Sequence, residues 1–226
     1  MKFRMHAHSS FSFVALLSVS SMIAIGCAGQ RPITAAKAEA DHAFKYGDYA
    51  KAAPAYLEII EKYPGDADVD FRYGVCLAKL GNYREARMYV EAAAAAEPKN
   101  FEVTAGLAEV YFQLNDTQKL VQLLQDRGDA MQSEETYLLL ADYGMRLSDP
   151  DIATAAANRA IVLGGGLDVA PYLKAAEVAA SVGETKLAQR RLRQAFTIDA
   201  KNQIVLARLT EYGIAAELTT GLPPID

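Results

Sequence analysis

The stretch "GDYAKA" (47–52) returns 34 residues later as "GNYREA" (81–86), with Gly, Tyr and the closing Ala in the same places. The same slot then holds "NDTQKL" from 115, "SDPDIA" from 148 and "GETKLA" from 183, at steps of 34, 33 and 35 residues. A period in this range marks a chain built from copies of one supersecondary unit. Each copy follows a helix-like stretch ("ADHAFKY", "GVCLAKL", "AEVYFQL", "ADYGMRL", "AEVAASV") and precedes another ("PAYLEIIEKYP", "RMYVEAAAAAEP", "VQLLQDR", "TAAANRAIVL", "QRRLRQAFTI"). The unit is therefore a helix, a tight turn and a second helix.

Gly47, Gly81 and Gly183 stand where the first helix must end, because glycine enters the left-handed backbone region without a Cβ clash. Asn115 is the usual second choice, and Ser148 takes the slot in the fourth copy. The polar residue that follows (Asp48, Asn82, Glu184), or Thr117 or Asp149, is expected to cap the second helix. Small residues at Ala52, Ala86, Ala153 and Ala188 let the paired helices approach, and Pro64 and Pro98 close their units.

This pattern resembles the tetratricopeptide repeat family. The resemblance is carried by a small residue in the first helix (Ala40, Gly74, Ala108, Ala141, Ala176), by the turn glycine, and by the alanine early in the second helix. A large residue four positions on (Tyr56, Val90, Leu124, Leu192) and an alanine near the end (Ala93, Ala160, Ala195) complete it. It implies an all-α fold, a right-handed superhelix (α-solenoid) of about five helix-turn-helix units over 33–66, 67–100, 101–133, 134–168 and 169–200. The third unit departs most, with Leu120 and Arg127 where alanine is expected, which changes the helix spacing there. Residues 201–218 read as a further amphipathic helix that caps the last unit, and 219–226 as a tail too rich in Pro and Gly to be helical.

The first 27 residues read as an export signal: Lys2 and Arg4, then an apolar stretch broken by serines and poorer than a membrane span needs, then "AIGC". Gly26 and Cys27 resemble a bacterial lipobox, although Ala24 stands where that family prefers Leu. The resemblance implies a diacylglycerol on Cys27, which becomes the new N-terminus, followed by a tether over 28–32. Ordinary signal-peptidase cleavage nearby, after Ala28, is the alternative and would release a free periplasmic protein. The remaining cysteine, Cys76, lies in an apolar helical pattern and reads as a buried small hydrophobe. Removal of the leader leaves 21 basic against 28 acidic side chains, which argues against nucleic acid and anionic lipid as partners.

No catalytic chemistry emerges. His42 is the one histidine after the leader, with no second His or Cys to complete a metal site. "LGGGLD" (163–168) lacks the Lys-Ser/Thr of a phosphate loop and reads as an inter-repeat linker. Acid pairs such as Asp66 and Asp68, or Glu134 and Glu135, stand at helix starts, where the helix dipole favours them. The chain is read as a non-enzyme with no cofactor, no metal and no small-molecule substrate.

What the family resemblance supplies is a groove lined by the first helix of each unit. Carried over position by position, the groove set is Lys37, Asp41, Phe44 and Lys45, then Phe71, Val75 and Lys79. Glu109 and Phe112, then Leu138, Asp142, Met145 and Arg146, then Leu173 and Glu177 complete it. Such a surface suits an amphipathic helix or an extended peptide with apolar anchors. A lipobox followed by about five such units is similar to the TadD and pilotin lipoproteins of pilus and secretin assembly. That implies a scaffold anchored in the bacterial envelope and facing the periplasm. Ala28 is not the Asp that often retains such proteins at the inner membrane, so the outer membrane is expected. The alternative is an auxiliary subunit of an outer-membrane insertion or cell-wall enzyme complex.

Overall fold

A computed structural model describes residues 32–217 and 220–224; the stretch read above as an export signal, with Cys27, lies outside the described residues. Among the described residues there are eleven helices and no strand. They run as hairpins: α1 (Ile33–Lys45) with α2 (Tyr49–Lys62), α3 (Ala67–Lys79) with α4 (Tyr83–Ala96), and α5 (Phe101–Gln113) with α6 (Thr117–Met131). Then come α7 (Glu134–Arg146) with α8 (Pro150–Leu163), α9 (Val169–Ser181) with α10 (Thr185–Ile198), and a single last helix, α11 (Gln203–Glu211). Contacts are dense within hairpins and between consecutive ones, as in a tetratricopeptide-type solenoid.

All five turns use one conformation at one slot. Gly47, Gly81, Asn115, Ser148 and Gly183 have φ of 75°, 86°, 56°, 56° and 79°. In the first turn Gly47 N–H donates to the Phe44 carbonyl at 3.0 Å and Asp48 N–H to that of Ala43 at 2.9 Å. Ser148 and Asp149 repeat the pair onto Met145 and Gly144 at 3.0 and 2.9 Å, so a non-glycine residue is held in the same closing motif. The caps differ in part from the sequence reading. Asp48, Asp116 and Asp149 accept from the first turn of their helices, whereas Asn82 and Glu184 make no side-chain cap bond. Thr117 is the first residue of α6 and Asp116 caps it, because the turn at Asn115 keeps the spacing of the other four.

Inside the hairpins, Ala52, Ala86, Ala153 and Ala188 are fully buried at the closest approach of the two helices. The first helices carry their own small residues: a Cβ on Gly74 would lie 2.5 Å from the Val90 side chain, and one on Gly144 would lie 2.6 Å from the Ala153 backbone nitrogen. In the third hairpin Leu120 fills the alanine slot and is fully buried, and α5 and α6 are the most loosely paired of the five hairpins. A four-carbon side chain at the contact holds the helices apart. Arg127, in another alanine slot, instead donates to the carbonyls of Ala94 at 3.1 Å and Pro98 at 3.0 Å, satisfying the open end of α4.

The end of the chain is shorter in helix than 201–218. Gly213, with φ 68°, closes α11 after Glu211, and Ile214 N–H donates back to the Leu209 carbonyl at 3.0 Å. Residues 220–224 are non-helical and lie along α10.

Candidate interaction surface

The first helices of the hairpins stand side by side, α3 with α5, α5 with α7 and α7 with α9, and form one continuous face. Within the sequence-derived set, Lys37, Asp41, Phe44, Val75, Glu109, Phe112, Leu138, Asp142, Met145 and Leu173 are half-buried, and Lys45, Lys79, Arg146 and Glu177 are exposed. Phe71 is different. It is 7% exposed, and its ring rests on α5 so closely that a Cβ on Gly106 would lie 2.6 Å from it. It is a core residue beneath the face, not an exposed anchor, because Gly106 leaves room for an aromatic ring to sink between the helices.

Most of the charges on this face are paired with one another, in three groups. In the first, Lys37 bridges Asp41 at 3.2 Å and Asp68 at 2.8 Å, Arg72 meets Asp68 at 2.7 Å, and Tyr56 donates to Asp41 at 2.6 Å. Burial opposes the charge on Asp68, but the Lys37 and Arg72 hydrogen bonds outweigh it and hold the carboxyl below its ordinary range. In the second, Arg146 and Tyr143 of α7 donate to Glu109 at 2.7 and 2.9 Å, and Gln113 donates to it at 2.7 Å. Burial alone would raise Glu109; the three hydrogen bonds win and bring it to about 2. The Arg146 guanidinium also lies 4.0 Å from the Phe112 ring centroid, a cation–π contact that fixes both side chains. In the third, Lys174 meets Asp142 at 2.5 Å and Glu177 at 2.6 Å.

Arg72, Lys174, Tyr56 and Tyr143 were not in the sequence-derived set, although they complete these groups. The i, i+4 pair Asp68–Arg72 and the i, i+3 pair Lys174–Glu177 were legible as helix-surface partners. The tyrosines were not, because their hydroxyls arrive from buried positions on other helices or other turns.

Between α3 and α5 the face opens into a cleft of about 430 Å³. Phe71, Val75, Ala78 and Val110 make its apolar wall, Gly106 lies in its floor, and Lys79, Glu102 and Gln113 stand at its edge. Lys79 and Glu102 are exposed and have no ion-pair partner among the described residues. A cleft of about 310 Å³ between α9 and α11, lined by Leu173, Ala176 and Ile204, is edged by charges that pair with one another. No group of three or more His, Cys, Asp or Glu among the described residues is arranged to hold a metal ion, and no described helix is long and apolar enough to cross a membrane.

Two family profiles described as tetratricopeptide repeat match, over residues 37–87 and 77–143. The chain carries tetratricopeptide repeats. The match ends within α7, and α8 and the fifth unit lie past it, joining the array through the same left-handed turn at Ser148 and Gly183 and the same buried alanine at Ala153 and Ala188. Among solved structures, a crystal structure of MamA protein aligns with a TM-score of 0.57 at 16% identity, covering 81% of this chain and 96% of that one. MamA from residue 41 to its end, from Desulfovibrio magneticus RS-1, aligns with a TM-score of 0.57 at 14% identity, covering 76% of this chain and 97% of that one. At such identities the likeness shows the fold alone. No curated protein matches the sequence.

Proposed function

We propose that the chain is a lipid-anchored, periplasm-facing scaffold that holds a protein segment on its first-helix face during assembly of the bacterial envelope, in building a pilus or a secretin ring. The observation that carries the binding part is the α3–α5 cleft. It is apolar, and half-buried Val75 and Ala78 are left open on a face whose other charges are mostly paired. An apolar side chain of an extended or helical segment gains most from entering such a cleft, with its flanking polar groups meeting Lys79 and Glu102. The anchoring part is supported by the lipobox-like "AIGC" ending at Cys27 and by Ala28 after it, which favours the outer membrane. Three acyl chains would make release from the membrane negligible. In this reading the repeats supply position and proximity, not chemistry.

The test is co-purification from native membranes of the full chain, Cys27→Ser and Val75→Glu, with mass spectrometry of the N-terminus and of the captured proteins. The expected result is an acylated Cys27, pilus or secretin components with the unmodified chain, and their loss from Val75→Glu at unchanged helicity. An unmodified N-terminus removes the anchor. Capture that survives Val75→Glu moves binding off this cleft, and capture of barrel-insertion or cell-wall proteins replaces the pilus assignment.

A further inference from the structure

Residues 220–224 do more than end the fold. Leu222 N–H donates to the Arg193 carbonyl at 3.2 Å, Thr197 Oγ1 donates to the Leu222 carbonyl at 2.7 Å, and Gln194 Nε2 donates to the Pro223 carbonyl at 3.0 Å. Every backbone polar group of Leu222 and Pro223 is therefore read by α10, since proline has no N–H. The reading group is held by its neighbours on α10 and α8. Gln194 is 2% exposed, and its Oε1 accepts from Arg191 Nη1 at 3.1 Å, which settles which end of the amide faces Pro223. Arg191 is 9% exposed and is held in turn by Asn158 Oδ1 of α8 at 2.9 Å. The seat is also selective in shape: a Cβ on Gly221 would lie 2.5 Å from Thr197 Oγ1, whose one proton goes to the Leu222 carbonyl at 2.7 Å and which cannot turn away without losing that bond.

A buried donor held by its neighbours, Gln194, and an exposed hydroxyl donor, Thr197, both meeting a proline-containing backbone, are the elements of a peptide-recognition site. We propose that this side of α10 is a binding site for an extended Gly-apolar-Pro-Pro segment supplied by a partner protein, and that the chain's own residues 220–224 occupy it in cis. Occupancy in cis needs little intrinsic affinity, because a tethered segment is present at an effective concentration in the millimolar range. A partner segment of the same pattern then enters only when it outcompetes the resident one, so the site stays closed to weak ligands. This site is separate from the first-helix face and does not depend on what that face binds.

The experiment uses the full chain and its Gly221→Val variant, with a labelled synthetic peptide of residues 219–226 as the probe, read by fluorescence anisotropy. Hydrogen exchange at the Leu222 amide reports whether the resident segment has left. The expected result is fast exchange at Leu222 in Gly221→Val and peptide binding at least about tenfold tighter than to the unmodified chain, the gain that comes from removing a tethered competitor. Adding Thr197→Val to Gly221→Val should weaken that binding at least about fivefold, the loss of one hydrogen bond, with unchanged helicity. Equal peptide binding by the unmodified and Gly221→Val chains overturns the proposal. So does the absence of binding by a Gly221→Val chain whose Leu222 amide exchanges freely, and so does a Leu222 amide that stays protected in that variant, since Gly221 would then not decide the fit.

Discussion

The sharpest disagreement between repeat logic and packing falls on Leu120. Four of the five hairpins place a buried alanine at this slot, so alignment of the units suggests that Leu120→Ala restores the pattern and tightens the third hairpin. The structure argues the reverse. Leu120 is fully buried, and α5 and α6 are already spaced to hold it. Truncation removes three carbons from the interior, about 2.4 kcal/mol at about 0.8 kcal/mol per carbon, before any cavity is counted. Buried Leu124, one turn on, props the same interface and limits collapse, so the total should reach about 3 to 4 kcal/mol, within the range for buried leucine truncations. In urea, with a slope of about 2 kcal/mol/M, the midpoint should fall by about 1.5 to 2 M. Because repeats are stabilised by their neighbours, loss in the middle unit should also broaden or split the transition by circular dichroism. An unchanged or higher midpoint would show that α5 and α6 close up when the side chain is removed, and would refute the idea that Leu124 keeps them apart.

Three further outcomes are expected. Ser148→Gly relieves a non-glycine residue at φ 56° and should stabilise the chain by about 1 kcal/mol; thermal melting with no gain would mean that the Ser148 side chain offsets its own strain. The Glu109 carboxyl, at about 2 against an ordinary 4.5, contributes stability that is fully present above the ordinary value and is lost as pH falls through about 2. Acid titration of stability should therefore be shallower in Glu109→Gln below about pH 4.5, and a superimposable profile would deny the Arg146 pairing its role. Burial pushes the Cys76 thiol up to about 12, so at pH 8 a disulfide reagent should label it only as fast as the chain opens, reaching full rate in denaturant; rapid labelling of the native protein would contradict its burial.

The helical hairpins were legible because the punctuation repeats: a residue able to adopt the left-handed conformation recurs at 47, 81, 115, 148 and 183, and no side chain elsewhere has to cooperate to end a helix there. Helix pairing was legible for the same reason, since alanine at the contact is a local property of the sequence. Depth was not. Phe71 holds the same repeat position as half-buried Leu138 and Leu173, but it is buried because Gly106, in another unit, carries no side chain. The continuation of the last helix towards 218 was misread because the apolar pattern runs on past Gly213, whose positive φ turns the chain back. The contact of 220–224 with α10 depends on Gln194 and Thr197, whose side chains look like ordinary surface polar groups until the segment that covers them is in place.

The mutual pairing of the acids and bases on the first-helix face has a kinetic consequence. Lys37, Arg72, Arg146 and Lys174 each spend their charge on a neighbouring carboxylate, so this face projects little net field into solvent. A partner would not be drawn in from a distance, and its arrival rate should sit near the unsteered range of about 10⁵ to 10⁶ M⁻¹s⁻¹. The same neutrality makes the encounter nearly indifferent to ionic strength, so a scaffold of this kind would keep its grip in dilute and in salty surroundings alike.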